Sequence, residues 1–269
     1  MADHSLVLET HYEESLPDPD RPTWGPAAGI GVWIFSFIAL FVMSLLMLGV
    51  WYGVEAARGL PLPKTEAEFR DWVISPGVVL SQVLSTVLAH ALTIAVCWAV
   101  VTQIGRRPFW ESLGWKWNGG TAWSKTFYVL GVTAVMYFSL VALSNIIPKT
   151  SETLFDQLLK TSREVRYAIA FMAVCTAPFV EEIVYRGVLF SALRNRVGSV
   201  ATIAFVTLLF AGVHVYQYAG DWGGLMGLTL LSLALTLVRA KTKSIFPCVA
   251  IHLAFNSISA ISIIFASSS

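Results

Sequence analysis

Between Tyr167 and Leu193 the chain is almost wholly apolar, yet it holds Glu181, Glu182 and Arg186. A run of this length can cross a bilayer as a helix, which takes about 20 residues. Charge at that depth costs about 2.5–3.5 kcal/mol per residue on insertion scales, so such residues are functional candidates. Arg186 follows Glu182 by four residues and shares its helical face, so the two can pair. Glu181 is rotated about 100° away and is left to face something else. Pro178, just upstream, lacks an N–H and is expected to bend or loosen the helix where the carboxylates begin. A salt bridge that only joins helices would account for one glutamate and the arginine. It leaves the second carboxylate without a partner unless another segment supplies one.

Composition sets the surroundings. The 269 residues are 56% hydrophobic and 13% charged, against about 25% charged in a soluble domain, which makes this an integral membrane protein. A net charge of +1 gives no nucleic-acid footprint. Cys97, Cys175 and Cys248 stand singly in apolar segments without CxxC spacing, so they read as small packing residues rather than a zinc or disulfide framework. The acidic, polar N-terminus does not resemble a cleavable signal peptide.

The expected fold is an all-α polytopic membrane protein with about seven transmembrane helices. Residues 1–27 read as a polar, Pro-rich, mobile tail and 28–269 as a single transmembrane domain whose motif-bearing half is 167–266. The segments are about Ala28–Val54, Gly77–Ile104, Lys125–Ile147, Tyr167–Leu193, Ser199–Tyr218, Leu225–Val238 and Ile245–Ala266. Short surface helices are expected at Thr65–Trp72 and Glu152–Ser162. The connector Gly105–Ser124 mixes basic residues with tryptophans, as interfacial hairpins do. With the N-terminus inside, the inner loops carry Arg106, Arg107, Lys116, Lys125, Arg194, Arg196, Arg239, Lys241 and Lys243 against Glu111. The positive-inside rule therefore puts the N-terminus in the cytoplasm.

Partners for the glutamates lie downstream. Phe210 and His214 are four residues apart in the fifth segment, as are His252 and Asn256 in the seventh, so each pair shares a helical face. Counted from the cytoplasmic ends, Glu181, Glu182, His214 and Asn256 fall about 17–22 Å deep, while Arg186 and His252 lie shallower and line the way in. Polar groups at matching depth on segments four, five and seven imply one intramembrane polar cavity between them. His90 and Asn145 fit hydrogen-bonded core positions instead.

The set Glu181-Glu182-x-x-x-Arg186, Phe210-x-x-x-His214 and His252-x-x-x-Asn256 resembles the motifs of the CPBP intramembrane proteases, the CAAX prenyl endopeptidases and bacteriocin-processing (Abi) enzymes. All three motifs occur in order, and the resemblance runs from about Ala168 to the C-terminus. The family commonly has an eighth span; seven are read here. The resemblance implies an intramembrane endopeptidase of a bacterial inner membrane, acting on a membrane-associated and possibly lipidated protein or peptide, in CAAX-type, sorting-tail or leader-peptide processing.

Peptide hydrolysis needs an activated water, oxyanion stabilisation and a proton for the leaving amine. Glu181 suits a general base sharing a water with His214. Glu182 and Arg186 suit an orienting pair, with a shared base role for Glu182 as the alternative, and His252 and Asn256 suit the oxyanion; the resemblance implies the same roles. No cofactor is needed for this scheme. A zinc-dependent alternative would use Glu181, His214 and His252, although HExxH spacing is absent and Asn256 is a poor zinc ligand. Other classes remain: a non-catalytic membrane scaffold, or a proton-coupled transporter. The transporter reading is weakened because the polar residues all lie in the second half, without an internal repeat.

Overall fold

A computed structural model describes residues 17–265, so most of the expected 1–27 tail and the end of the seventh segment at Ala266 lie outside the described residues. Among those residues all regular structure is helical. The elements are α1 (Pro26–Ala57), α2 (Glu66–Val73), α3 (Pro76–Thr102), α4 (Phe109–Leu113), α5 (Ala122–Ile146), α6 (Leu154–Thr161), α7 (Arg163–Cys175), α8 (Ala177–Glu182), a π-helical segment (Ile183–Leu189), α9 (Phe190–Val197), α10 (Ser199–His214), α11 (Trp222–Thr242) and α12 (Phe246–Phe265). Five helical stretches are long and apolar enough to cross a membrane: α1, α3, α5, the bent run Arg163–Val197 that joins α7 to α9, and α11. α10 and α12 are shorter apolar helices. The seven expected segments thus all fall on helical stretches, the fourth on the bent run from α7 to α9, while five meet the length needed for a span.

Element boundaries follow local chemistry. Pro stands in the first turn of α1, α3 and α8, where a missing N–H costs nothing. Thr65 caps α2 through the Glu68 amide, and Thr121 and Thr153 form capping boxes on α5 and α6. α2 and α6 fall where the surface helices were expected. The helix ladder is interrupted at Thr176, two residues before Pro178, as a ring without an N–H requires. It then widens across Ile183–Leu189, a form seen mostly at functional sites.

The core is centred on that wide-turn segment. All seven of its residues are buried, and it packs with Trp24, Val32, Cys97, Leu113, Val206, Phe210 and Ile245. A second cluster joins Leu231, Leu235 and Val238 of α11 to Cys248, Ile251 and Phe255 of α12. Outward faces of α1 and α5 are apolar and exposed, as at Phe41, Leu45, Phe127 and Phe138, which is the surface a lipid-facing helix presents. α11 lies close against α5. A Cβ on Gly223 would stand 2.8 Å from the Ile147 carbonyl oxygen and 2.9 Å from that of Leu143.

Several expectations need correction. The polar lead-in is not a free tail from Pro17 onward: Asp20 and Trp24 are buried against the body. They are held by hydrogen bonds and charge, which the composition of a Pro-rich stretch does not reveal. The fifth segment stops being helical at His214 instead of Tyr218. Asn145 is exposed and bonds its own helix at the Val141 carbonyl, and Cys175 is exposed rather than packed. The connector after α3 does turn inward, since α4 buries Ser112 and Leu113.

Two predictions follow from this packing. Gly223→Ala should destabilise by about 1–3 kcal/mol, because backbone oxygens cannot move aside. Gly131→Ala in α5, where a Cβ meets nothing within 4 Å, should be neutral or stabilise by up to about 1 kcal/mol; thermal unfolding in detergent compares them. The second concerns Asp156, which takes both the Thr153 cap and Lys149 Nζ at 3.0 Å. Partial burial pushes its carboxyl up, but the Lys149 ammonium and the Thr153 amide and hydroxyl outweigh this and hold it below the usual carboxylate range. A depressed folded value stabilises the fold above the unfolded value near 3.9 and stops doing so as pH falls through the folded one. The stability difference between wild type and Asp156→Asn should therefore be constant well above the unfolded value near 3.9 and shrink as the pH falls below it.

Candidate active site

Glu182 and Arg186 form the ion pair expected from their spacing, with Arg186 Nη1 2.9 Å from Glu182 Oε1 and both side chains fully buried. A buried guanidinium must satisfy its remaining N–H groups. Nη2 donates to the Ser232 carbonyl at 3.0 Å and to Ser232 Oγ at 2.8 Å, and Nε donates to Thr236 Oγ1 at 3.4 Å. The cation also lies over the Phe210 ring, 4.8 Å from its centroid. Phe210 is therefore the floor between Arg186 and His214, whose ring is 4.8 Å from it.

His252 joins the two glutamates. Its Nδ1 is 2.8 Å from Glu182 Oε1 and its Nε2 is 3.8 Å from Glu181 Oε2. The depth count placed His252 nearer the cytoplasmic end than the glutamates. Direct contact with both puts it in their layer, because counting assumes straight parallel helices and the Arg163–Val197 run is neither straight nor regular. Glu182 Oε2 is buried without a hydrogen-bond partner among the described residues, so that carboxylate keeps acceptor capacity. Glu181, by contrast, is 25% exposed.

One cleft of about 230 Å³ is lined by Glu181, His214, His252 and Asn256, with Tyr218 and Phe255 nearby. His214 Nδ1 lies 2.7 Å from the Phe210 carbonyl oxygen. A carbonyl only accepts, so Nδ1 carries the proton and Nε2 of a neutral ring is the acceptor. Asn256 Nδ2 donates to the Ala173 carbonyl at 2.8 Å, tying α12 to α7 and leaving one amide N–H uncommitted. A second cleft of about 200 Å³ also touches Glu181 and His214 and reaches His90 and Thr93. His90 is thus hydrogen-bonded, to Thr176 Oγ1 at 3.2 Å, as a core histidine would be, but it also lines a cleft.

The structure therefore brings Glu181, Glu182, Arg186, His252 and Phe210 into direct contact, and places His214 and Asn256 on the cleft they border. Among the described residues no three His, Cys, Asp or Glu side chains are gathered as a metal-ligand group. Three residues of α11 join the site unexpectedly: Ser232, Thr236 and Arg239 are all fully buried. Their spacing of four and then three in an apolar helix is a polar stripe on one face, a signal legible in the sequence. Nothing in the sequence marks Asp20, which pairs with Arg239.

Residues 163–258 match a family model described as Type II CAAX prenyl endopeptidase Rce1-like. The match contains all three motifs, and it supports the CPBP resemblance and a CAAX-type intramembrane protease family. Comparisons with curated proteins and with solved structures gave no match.

The geometry separates the two glutamates by consequence. Glu182→Gln should destabilise the protein by about 3–5 kcal/mol, because it leaves a buried guanidinium uncompensated. Thr236→Val, which takes only the long Nε contact of 3.4 Å from the guanidinium, should cost less, about 1.5–3 kcal/mol. Denaturant titration of both variants in detergent checks the order.

Proposed function

We propose that this chain is an intramembrane endopeptidase that hydrolyses a peptide bond of a membrane-associated protein or peptide, with water activated by Glu181. The observation that carries the reading is a partly exposed carboxylate on a cleft shared with His214, His252 and Asn256, beside a second carboxylate locked by Arg186. The motif-bearing half crosses the membrane by the run Arg163–Val197 with α10, α11 and α12. The apolar faces and the basic loops support a seven-span arrangement with the N-terminus in the cytoplasm of a bacterial cell.

In this mechanism a water sits between Glu181 and His214 Nε2. Glu181 takes one proton as the water oxygen attacks the carbonyl carbon, and Nε2 accepts the hydrogen bond of the other. The oxyanion is met by the free N–H of Asn256 and by His252. Because His252 Nδ1 faces the Glu182 carboxylate, donation from Nε2 requires the doubly protonated ring, whose charge Glu181 and Glu182 balance. Collapse of the tetrahedral intermediate breaks the C–N bond, and the proton held on Glu181 goes to the leaving amine. No metal enters these steps. The Rce1-like match makes a prenylated CAAX tail the first substrate to try, and apolar C-terminal helices the second.

Wild type and Glu181→Gln, purified in detergent and stripped with a strong chelator, test the proposal on both substrates. Stripped wild type should cleave one of them. Glu181→Gln should lose at least about 10²-fold in turnover while keeping its stability within about 0.5 kcal/mol. Loss of wild-type cleavage on stripping, with rescue by zinc, would reverse the mechanism and leave the protease reading. A folded, metal-replete protein that cleaves neither substrate would favour a scaffold or a transporter.

A further inference from the structure

The segment from Pro17 to Gly25 reaches the site from outside. Asp20 is buried and meets three cations: Arg194 Nη1 at 2.7 Å, Arg239 Nη1 at 3.2 Å and Lys243 Nζ at 3.5 Å. Its carbonyl accepts from Asn195 Nδ2. Arg239 is itself fully buried and spends its other donors inward. Nε donates to the Arg186 carbonyl at 3.1 Å, and Nη2 donates to Ser191 Oγ at 2.9 Å and to the Pro19 carbonyl at 3.2 Å. Four residues on from Asp20, Trp24 Nε1 donates to the Val188 carbonyl at 3.0 Å. Two carbonyls of the wide-turn segment are therefore held by side chains from elsewhere, and one belongs to Arg186.

We propose that Asp20 and Arg239 are positioning residues for the Glu182–Arg186 pair, and that the Pro17–Gly25 segment is a clamp on the wide-turn segment. The proposal rests on the reading of that pair as part of the active site. The physical argument is one of compensation. A buried guanidinium is tolerable only when paired, so Arg239 can stay inside and hold the Arg186 carbonyl only while Asp20 balances it. The Arg186 guanidinium in turn fixes Glu182 Oε1, and the same oxygen meets His252 Nδ1. Each link is a direct contact, from Asp20 through Arg239, Arg186 and Glu182 to His252. A wide turn is a rare form, found mostly as a single turn inserted in an α-helix, and it departs from the regular ladder on either side. Outside bonds to its carbonyls are what would fix it.

The test uses the full chain in detergent with Asp20→Asn, Arg239→Lys, Trp24→Phe and, as a control, the exposed Arg196→Gln. Two readouts are taken: steady-state kinetics per folded molecule, and hydrogen exchange of amides 183–190. Asp20→Asn and Arg239→Lys should lower kcat by about ten- to a hundredfold with KM little changed, the signature of misplaced reacting groups rather than lost binding. Exchange across 183–190 should quicken about tenfold or more in both, and less in Trp24→Phe. Arg196→Gln should match wild type. Where Asp20→Asn folds poorly, Asp20→Asn combined with Arg239→Met removes both buried charges. Stability should recover, yet kcat and the protection of 183–190 should stay low because the Arg186 carbonyl has lost its donor. Wild-type kcat and protection in that double variant, or variants whose only change is a lower melting temperature, would overturn the proposal. Should the wild type cleave none of the substrates, the proteolytic reading fails on its own, and exchange at 183–190 alone decides whether the clamp exists.

Discussion

The motif-bearing half is arranged around one buried ion pair. Glu182 and Arg186 lie where water cannot solvate them, so the rest of the structure must. Arg186 draws Ser232 and Thr236 from α11 and the face of Phe210 from α10, while Glu182 draws His252 from α12. Three helices are thereby brought to one point by requirements that apolar packing alone does not impose. Hydrophobic contact is tolerant of small slides along a helix; a guanidinium fork is not. The pair therefore selects the register in which His252 meets both glutamates.

The surroundings sharpen that demand. Helices α1 and α5 show apolar side chains outward, so charge has to be accommodated inward. α10 has 16 residues, about 24 Å of helix, less than the roughly 30 Å of a hydrocarbon core. It ends at His214, and the chain runs as turns to Gly220 before α11 begins. On the proposed seven-span reading these turns fall at membrane depth, where irregular backbone is sustainable only if it is buried or lines a water-filled cavity. The cleft bordered by His214 and Tyr218 is such a place, so the shortness of α10 and the presence of the cleft are two sides of one arrangement.

How much of this was legible depended on the range of the interaction. Contacts within one helix were: Glu182 with Arg186, and Phe210 with His214, follow from a separation of four, and α2 from its cap and its apolar face. The Ser232, Thr236 and Arg239 stripe was legible on the same principle, but Arg239 also fits a basic loop and is easily assigned there. Contacts between distant segments were not. Asp20 lies 219 residues from Arg239 in a stretch whose composition describes a tail, and no local rule distinguishes a docked carboxylate from a solvated one. His252 was misplaced in depth for a related reason: residue counting measures distance along an ideal axis, and the break at Thr176 and the wide turn after Glu182 alter that axis where it matters.

Two adjacent glutamates with different fates are the clearest statement of the design. One residue of helix rotation sends Glu182 into full burial and leaves Glu181 a quarter exposed on the cleft. A carboxylate buried against a guanidinium is held in place, which makes it a support. A carboxylate open to the cleft is the one the proposed mechanism uses as its base. His252 touches both, so it links their positions: moving Glu182 would move the imidazole that Glu181 faces. On this argument the support and the reagent cannot be exchanged by swapping their surroundings one at a time, because Arg186 reaches only the buried face and the cleft opens only on the other.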